Sequence, residues 1–280
     1  QMEIVADGIA DATWVFHGYN TGRFELTKLP EFPTFEDFSS EHASAAYWRT
    51  HQEYLAQAGE HRGVEVVAAG VHGPGWIFSR DKYATLDDLM SKRIRVGGGV
   101  MGELSNALEL TGVALPPTSV YEAGSQGVID GAMLVPEGLR SFRVAEVFPY
   151  TLKVDGGFYR GSFTIVVNPT VWDQVSPEDR EAIEAVSGER LSRLFGYMMD
   201  TVDVRGVEFA EERGHTFTEL NGNDLEALRS ISDTLVEEWA ASVADSRGVD
   251  GMEAMRYFHE QLAAAAEEES VASLVPQEFL

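Results

Sequence analysis

Arg95 is the residue of this 280-residue chain best equipped for chemistry. It stands in Lys92-Arg93-Ile94-Arg95-Val96-Gly97-Gly98-Gly99, a short β-type run that opens onto three glycines, and a helix-like segment follows over 101–110. A guanidinium presents a planar fork that matches a carboxylate. Glycines let backbone come close to a ligand. Arg95 has a plainer reading too, as a structural arginine paired with one of the many acids; the glycines beside it favour ligand binding. With Val120-Tyr121-Glu122-Ala123-Gly124-Ser125-Gln126-Gly127-Val128-Ile129-Asp130-Gly131 further on, the pattern implies capture of a small organic anion.

Aromatic residues supply the second group. Trp14, Phe16 and Tyr19 cluster near one strand, and Trp14 and Phe16 fall on the same face of it. They suit either a core or the wall of a cleft, as do Trp76, Phe78, Phe158 and Tyr159. Enzyme chemistry has little to stand on. The chain has no cysteine, and its seven histidines fall in no metal-ligand spacing. There is no nucleophile elbow, so no catalytic residue is assigned and no cofactor is expected. Gly97-Gly98-Gly99 could cradle a phosphate in an α/β enzyme, but Gly102 follows out of register for a dinucleotide motif and no phosphate-loop lysine comes after it.

The net charge of −25 argues against nucleic acid and anionic membrane as partners, since both need a positive surface. An anion site on so acidic a protein must carry its own local positive field, sheltered from the rest of the surface. No run of 18 apolar residues spans a membrane. No signal peptide heads the chain, as expected of a mature or trimmed form from which a leader has been cleaved.

The elements that would position these groups alternate in type. Residues 2–11 read as a helix end and a glycine stop, which suggests that residues upstream are missing, and a strand is expected over 12–16. A helix is expected over 44–58, strands over 64–70 and 76–79, and a short capped helix over 85–90. Residues 162–168 read as a buried strand closed by Pro169. Ser176-Pro177-Glu178-Asp179 opens a helix with a serine cap, a first-turn proline and acids. Its apolar pattern runs to about residue 213, roughly 55 Å at 1.5 Å per residue, unless Gly188, Gly196 or Gly206 divides it. A late strand is expected over 215–220, helices over 224–244 and 251–268, and a frayed tail from Glu267. Strands alternating with helices imply an α/β fold with partly parallel sheets.

Five segments, in order, resemble the extracytoplasmic solute receptors of tripartite ATP-independent periplasmic (TRAP) transporters, the DctP type. Asp7-Gly8-Ile9-Ala10-Asp11 resembles the family's "DG-x-x-D", and Gly18-Tyr19-Asn20-Thr21-Gly22-Arg23-Phe24 the loop that follows. Leu86-Asp87-Asp88-Leu89 through Ile94-Arg95-Val96 resembles "EDLKGLKIRV". The segment 120–131 resembles "EVY-x-ALQ-x-GVVDG". Val166-Val167-Asn168-Pro169 with Trp172 and Ser176-Pro177-Glu178 resembles "VVNK-x-x-W-x-x-L-x-PE".

The resemblance implies a two-lobed periplasmic-binding-protein-like fold, with a mixed sheet in each lobe and a long bracing helix. Lobe I would comprise 1–73 and about 161–200, lobe II 74–160 and about 201–245, with 246–280 a C-terminal helical segment. It also implies a periplasmic receptor, not an enzyme, that passes its ligand to TRAP membrane permease subunits. Arg95 would pair with the ligand carboxylate; Trp14, Phe16, Tyr19, Trp76, Leu134, Phe158, Arg160 and Asn168 would line the cleft. The apolar character of Trp14, Phe16, Tyr19, Trp76 and Leu134 points to an aromatic or branched monocarboxylate rather than a sugar acid or short dicarboxylate. An ABC-type solute receptor has similar lobes and is the alternative.

Overall fold

The computed structural model describes residues 1–20 and 22–275; Thr21 of the loop motif and residues 276–280 lie outside them. Nine strands form two sheets. β1 (Ala12–Phe16), β8 (Ser162–Val167) and β2 (Glu65–Val71) make an antiparallel three-stranded sheet with β8 in the middle. The other sheet is mixed and six-stranded, in the order β5 (Thr111–Ala114), β4 (Arg93–Val96), β6 (Gly131–Leu134), β3 (Trp76–Ser79), β7 (Tyr150–Lys153), β9 (Thr216–Glu219). The chain passes between the sheets three times, from Val71 to Trp76, from Lys153 to Ser162 and from Val167 to Thr216.

Helices cover these sheets. In chain order they are α1 (Met2–Ala6), α2 (Ser40–Thr50), α3 (Val100–Ala107), α4 (Val120–Ser125), α5 (Gly138–Ser141), α6 (Pro169–Gln174), α7 (Pro177–Val186), α8 (Glu189–Glu211), α9 (Gly222–Arg247) and α10 (Gly251–Ala266). Tyr47 of α2, Val71 of β2 and Phe258 of α10 share one core with Trp239 and Val243 from the end of α9. Leu228, near the start of α9, packs instead with Ile94, Met133 and Leu104 under the six-stranded sheet. At about 39 Å, α9 therefore serves both cores.

The expected 37-residue brace is two helices. Ser176 caps α7 by accepting from Asp179 N at 3.1 Å, with Pro177 in the first turn. Gly188 then takes φ +64°, a conformation glycine adopts without strain. Its N–H donates to the Val67 carbonyl at 2.7 Å, where the β2–β8 register is irregular. α8 restarts there and also touches both sheets: Ser192 Oγ accepts from Ala69 N at 3.0 Å, while Ala210 packs beneath Phe78 and Leu134. The C-terminal region is tied down as far as it is described. Glu41 accepts from Ser270 Oγ and Val271 N, and Glu268 pairs with Arg49 and Arg193, so the expected fraying does not begin at Glu267. No helix among the described residues is long and apolar enough to cross a membrane.

Candidate functional site

Arg95 lies on β4, between β5 and β6, and is 2% exposed. The carbonyls beside it fix the guanidinium: Nε donates to Leu115 O at 2.8 Å and Nη1 to Met133 O at 2.9 Å. Among the described residues Nη2 makes no hydrogen bond and no acid forms an ion pair with Arg95. A buried cation normally finds a counter-charge, and here 46 acids are present in the chain. This arrangement fixes a buried positive charge that has no counter-ion among the described residues.

The three glycines meet the opposite side of the molecule. A Cβ on Gly98 would lie 2.1 Å from the Gly18 carbonyl, and one on Gly99 would lie 2.2 Å from Glu31 Oε2. Glu31 Oε2 accepts from Val100 N at 3.1 Å, so its carboxylate fills the N-terminus of α3, the position a phosphate would use. Lys28 pairs nearby with Glu103 of α3 and with Glu25. Glycine is needed here for a protein–protein seam.

Behind this seam lies a buried polar chain. Ser162 Oγ is 2.7 Å from Glu31 Oε1 and 2.8 Å from His17 Nδ1, and His17 Nε2 is 3.2 Å from His61 Nε2. Burial pushes the Glu31 carboxyl up to about 7 despite its hydrogen bonds to Ser162 and Val100. The same desolvation, with His61 and His51 as neighbours, holds His17 well below the ordinary histidine range. These groups form no metal cluster among the described residues.

Aromatic rings gather beside Arg95. The Gly18 Cα is wedged between the Phe16 ring and Gly97, whose own Cβ position is 3.2 Å from Arg95 Nη2. Phe16 contacts Tyr19 with ring centroids 4.6 Å apart, and His72 lies parallel to Phe16 at 6.1 Å. Tyr159 stands edge-on to His72 at 5.5 Å. Phe16, Tyr19, His72 and Tyr159 thus surround the approach to the guanidinium.

The other expected residues sort differently. Leu134 and Trp76 are register partners, two residues beyond the Arg95–Ala132 pair, and extend the same sheet face. Trp14, two residues before Phe16 on β1, is half-exposed and packs edge-on against Phe163. Phe158 is fully buried in the core with Ile77 and Leu152. Arg160 is 1% exposed and bound to carbonyls, Nη1 to His72 O at 3.3 Å and Nη2 to Phe38 O, with its own N–H on Glu31 O. It supports the His72 backbone from behind. Asn168 caps α6, its Oδ1 accepting from Val171 N at 3.1 Å and its Nδ2 donating to Val5 O at 2.6 Å. It follows Val167, the partner of Ala12, at the opposite end of the sheet from Phe16. The structure therefore separates Asn168 from Phe16 and its neighbours, and commits Phe158 to the core.

His72 and Glu31 are absent from the expected set. The sequence carried one faint sign of His72, its place between a β-branched strand and Gly73-Pro74-Gly75. Glu31 carried none, because its role depends on a segment distant in sequence.

Comparison with known proteins gives this geometry a context. A TRAP periplasmic solute binding protein from Bordetella bronchiseptica, solved with bound (R)-mandelate and (S)-mandelate, matches with a TM-score of 0.89 at 29% identity, over 94% of this chain and 83% of that one. A marine metagenome TRAP solute binding protein from an unidentified microbe, specific for aromatic acid ligands and solved with 3-hydroxybenzoate, matches with a TM-score of 0.85 at 27% identity, over 95% of this chain and 82% of that one. The outer membrane transporter protein TsaT of Comamonas testosteroni is 28% identical over 269 residues, 94% of this chain and 78% of its own. The solved neighbours are two-lobed receptors, not enzymes. The family model of the bacterial extracellular solute-binding proteins, family 7, matches residues 1–242, and the chain belongs to that family of TRAP receptors.

Proposed function

We propose that this protein captures an aromatic monocarboxylate in the periplasm and delivers it to the membrane subunits of a TRAP transporter. The observation that carries the reading is Arg95, buried with no acid paired to it among the described residues and beside a cluster of rings. The ligand carboxylate accepts from the free edge of the guanidinium, and exclusion of water strengthens the pair. Phe16 and Tyr19 cover the ligand's apolar body, with Trp76 and Leu134 along the sheet edge. Trp14 lies at the rim. Two lobes, one around each sheet, close over the ligand by bending at the crossovers between them. The relatives' aromatic acid ligands support the ligand class.

A thermal-shift panel of benzoate, mandelate, 3-hydroxybenzoate, a branched aliphatic acid, succinate and a sugar acid tests the proposal. An aromatic acid at 100 times its dissociation constant should stabilise the protein by about 2.7 kcal/mol. Tight binding of succinate or the sugar acid, with no response to aromatic acids, would refute the ligand class.

A further inference from the structure

His72 follows β2 at the first crossover, and its imidazole is held from several sides. Its N–H donates to Gly161 O at 3.1 Å, and its carbonyl accepts from Arg160. Its Nδ1 lies 2.8 Å from the Gly73 carbonyl and 3.3 Å from Gly161 N. The first contact needs a proton on Nδ1 and the second needs a lone pair. Two lone pairs facing at 2.8 Å repel more than two N–H groups at 3.3 Å, so Nδ1 carries the hydrogen. In the neutral ring Nε2 is then a bare acceptor. Burial, with Arg160 and Arg95 near, pulls the imidazole down to about 4, so the ring is neutral at physiological pH.

Nε2 has no hydrogen-bond partner among the described residues, although the ring is only partly exposed. It stands over Gly161, where a Cβ would lie 2.2 Å from Nε2 and 2.5 Å from the Phe16 ring. Glycine at 161 is what lets the imidazole edge and the Phe16 ring meet there. The cleft thus offers two unlike polar groups. Arg95 is donor-only and accepts nothing; His72 Nε2 is an acceptor and repels a carboxylate.

We propose that His72 is a specificity-determining residue that selects aromatic acids bearing a hydroxyl, Nε2 accepting the hydroxyl hydrogen while Arg95 holds the carboxylate. The inference rests on the carboxylate reading of Arg95 and adds the second point of recognition. A ligand without the hydroxyl leaves a desolvated acceptor unpaired, and a second carboxylate would face its lone pair. Sites built around a hydroxyl discriminate strongly for this reason.

Calorimetric titration of the whole protein with matched pairs, mandelate against phenylacetate and 3-hydroxybenzoate against benzoate, tests it. The hydroxylated member of at least one pair should bind about tenfold tighter or more. In His72→Phe that preference, read as the ratio of affinities within each pair, should collapse. Nitrogen NMR of the wild-type imidazole gives a readout that needs no variant: the hydroxy acid should shift Nε2 as an acceptor, and its partner should not. Equal affinity within both pairs, a preference that survives in His72→Phe, or an unmoved Nε2 would overturn the role of His72 and leave that of Arg95 standing. Failure of all four acids to bind, or binding undiminished in Arg95→Ala, would overturn both.

Discussion

Arg95 and Arg160 are both buried and form no ion pair among the described residues, yet their surroundings differ. Arg160 sits in the field of Asp200, Asp203 and Asp37, which partly offsets the desolvation that lowers its pKa. Its guanidinium joins Phe38 to His72 across the crossovers. Arg95 is gripped by two strand-end carbonyls, keeps Nη2 clear of any described protein acceptor, and faces rings. One arginine is a rivet; the other is a presented charge. Burial and cation type are the same in both, so the distinction lies in what surrounds each group: carbonyls and nearby aspartates for Arg160, carbonyls and rings for Arg95.

That contrast can be broken at either residue. The largest effect is expected from Arg95→Ala: at least about 100-fold weaker carboxylate binding by calorimetry, because a desolvated charge pair is lost. Its melting temperature without ligand should hold. Arg95→Lys should rescue little, since an ammonium lacks the planar fork. Arg160→Met should behave in the opposite way. With two buried carbonyls and the aspartates left short of a partner, it should lose about 2–4 kcal/mol of stability in denaturant unfolding. The surviving folded protein should still bind. Equal behaviour of the two variants would abolish the distinction.

Stability against pH sharpens it further. His51, His61 and His72, pulled by burial to about 4, 3 and 4, are neutral in the fold and take up protons on unfolding below the ordinary value of 6.5. Their contribution is present above 6.5 and is lost as pH falls toward 4. Glu31 and Asp203, raised by burial to about 7 and 8, act the other way. The fold keeps protons on them that the unfolded chain releases, so their contribution is present in acid and lost as pH rises through 7–8. Melting curves should therefore peak at about pH 6.5 and fall on both sides. A flat profile from 5 to 8 would contradict the assigned burial. The smallest effect is expected at Asn168→Ala, which removes a helix cap and should cost about 1 kcal/mol of stability with ligand affinity unchanged.

Much of the recognition end was legible because it is local. A β-run, an arginine and three glycines are contiguous, and a serine–proline helix start needs no distant partner. Strand β3 was readable from Trp76-Ile77-Phe78-Ser79 for the same reason. Strands β5 and β7 were not. Thr111-Gly112-Val113-Ala114 is a mostly exposed edge strand with little apolar pattern, and Tyr150-Thr151-Leu152-Lys153 acquires its role from its neighbours β3 and β9. The expected helix over 44–58 begins earlier, where Ser39 caps it, and continues past Thr50 as a π-turn. His51 is buried against His61, a contact between residues on separate segments that no local pattern announces. Asn168 was placed in the cleft by its motif, whereas its side chain is committed to α6 and Val5.

The seam between Gly18, Glu31 and Lys28 on one side and Gly98, Val100 and Glu103 on the other is closed by contacts between protein groups. For ligands that do not touch those groups, whatever it contributes is the same. Each 1.4 kcal/mol gained or lost there multiplies all affinities by about ten, and leaves their ratios untouched. The order of preference among ligands is set elsewhere, by the groups that touch them. On the proposed reading, strength of capture and choice of cargo have separate addresses in this chain, and a lineage could retune one without disturbing the other.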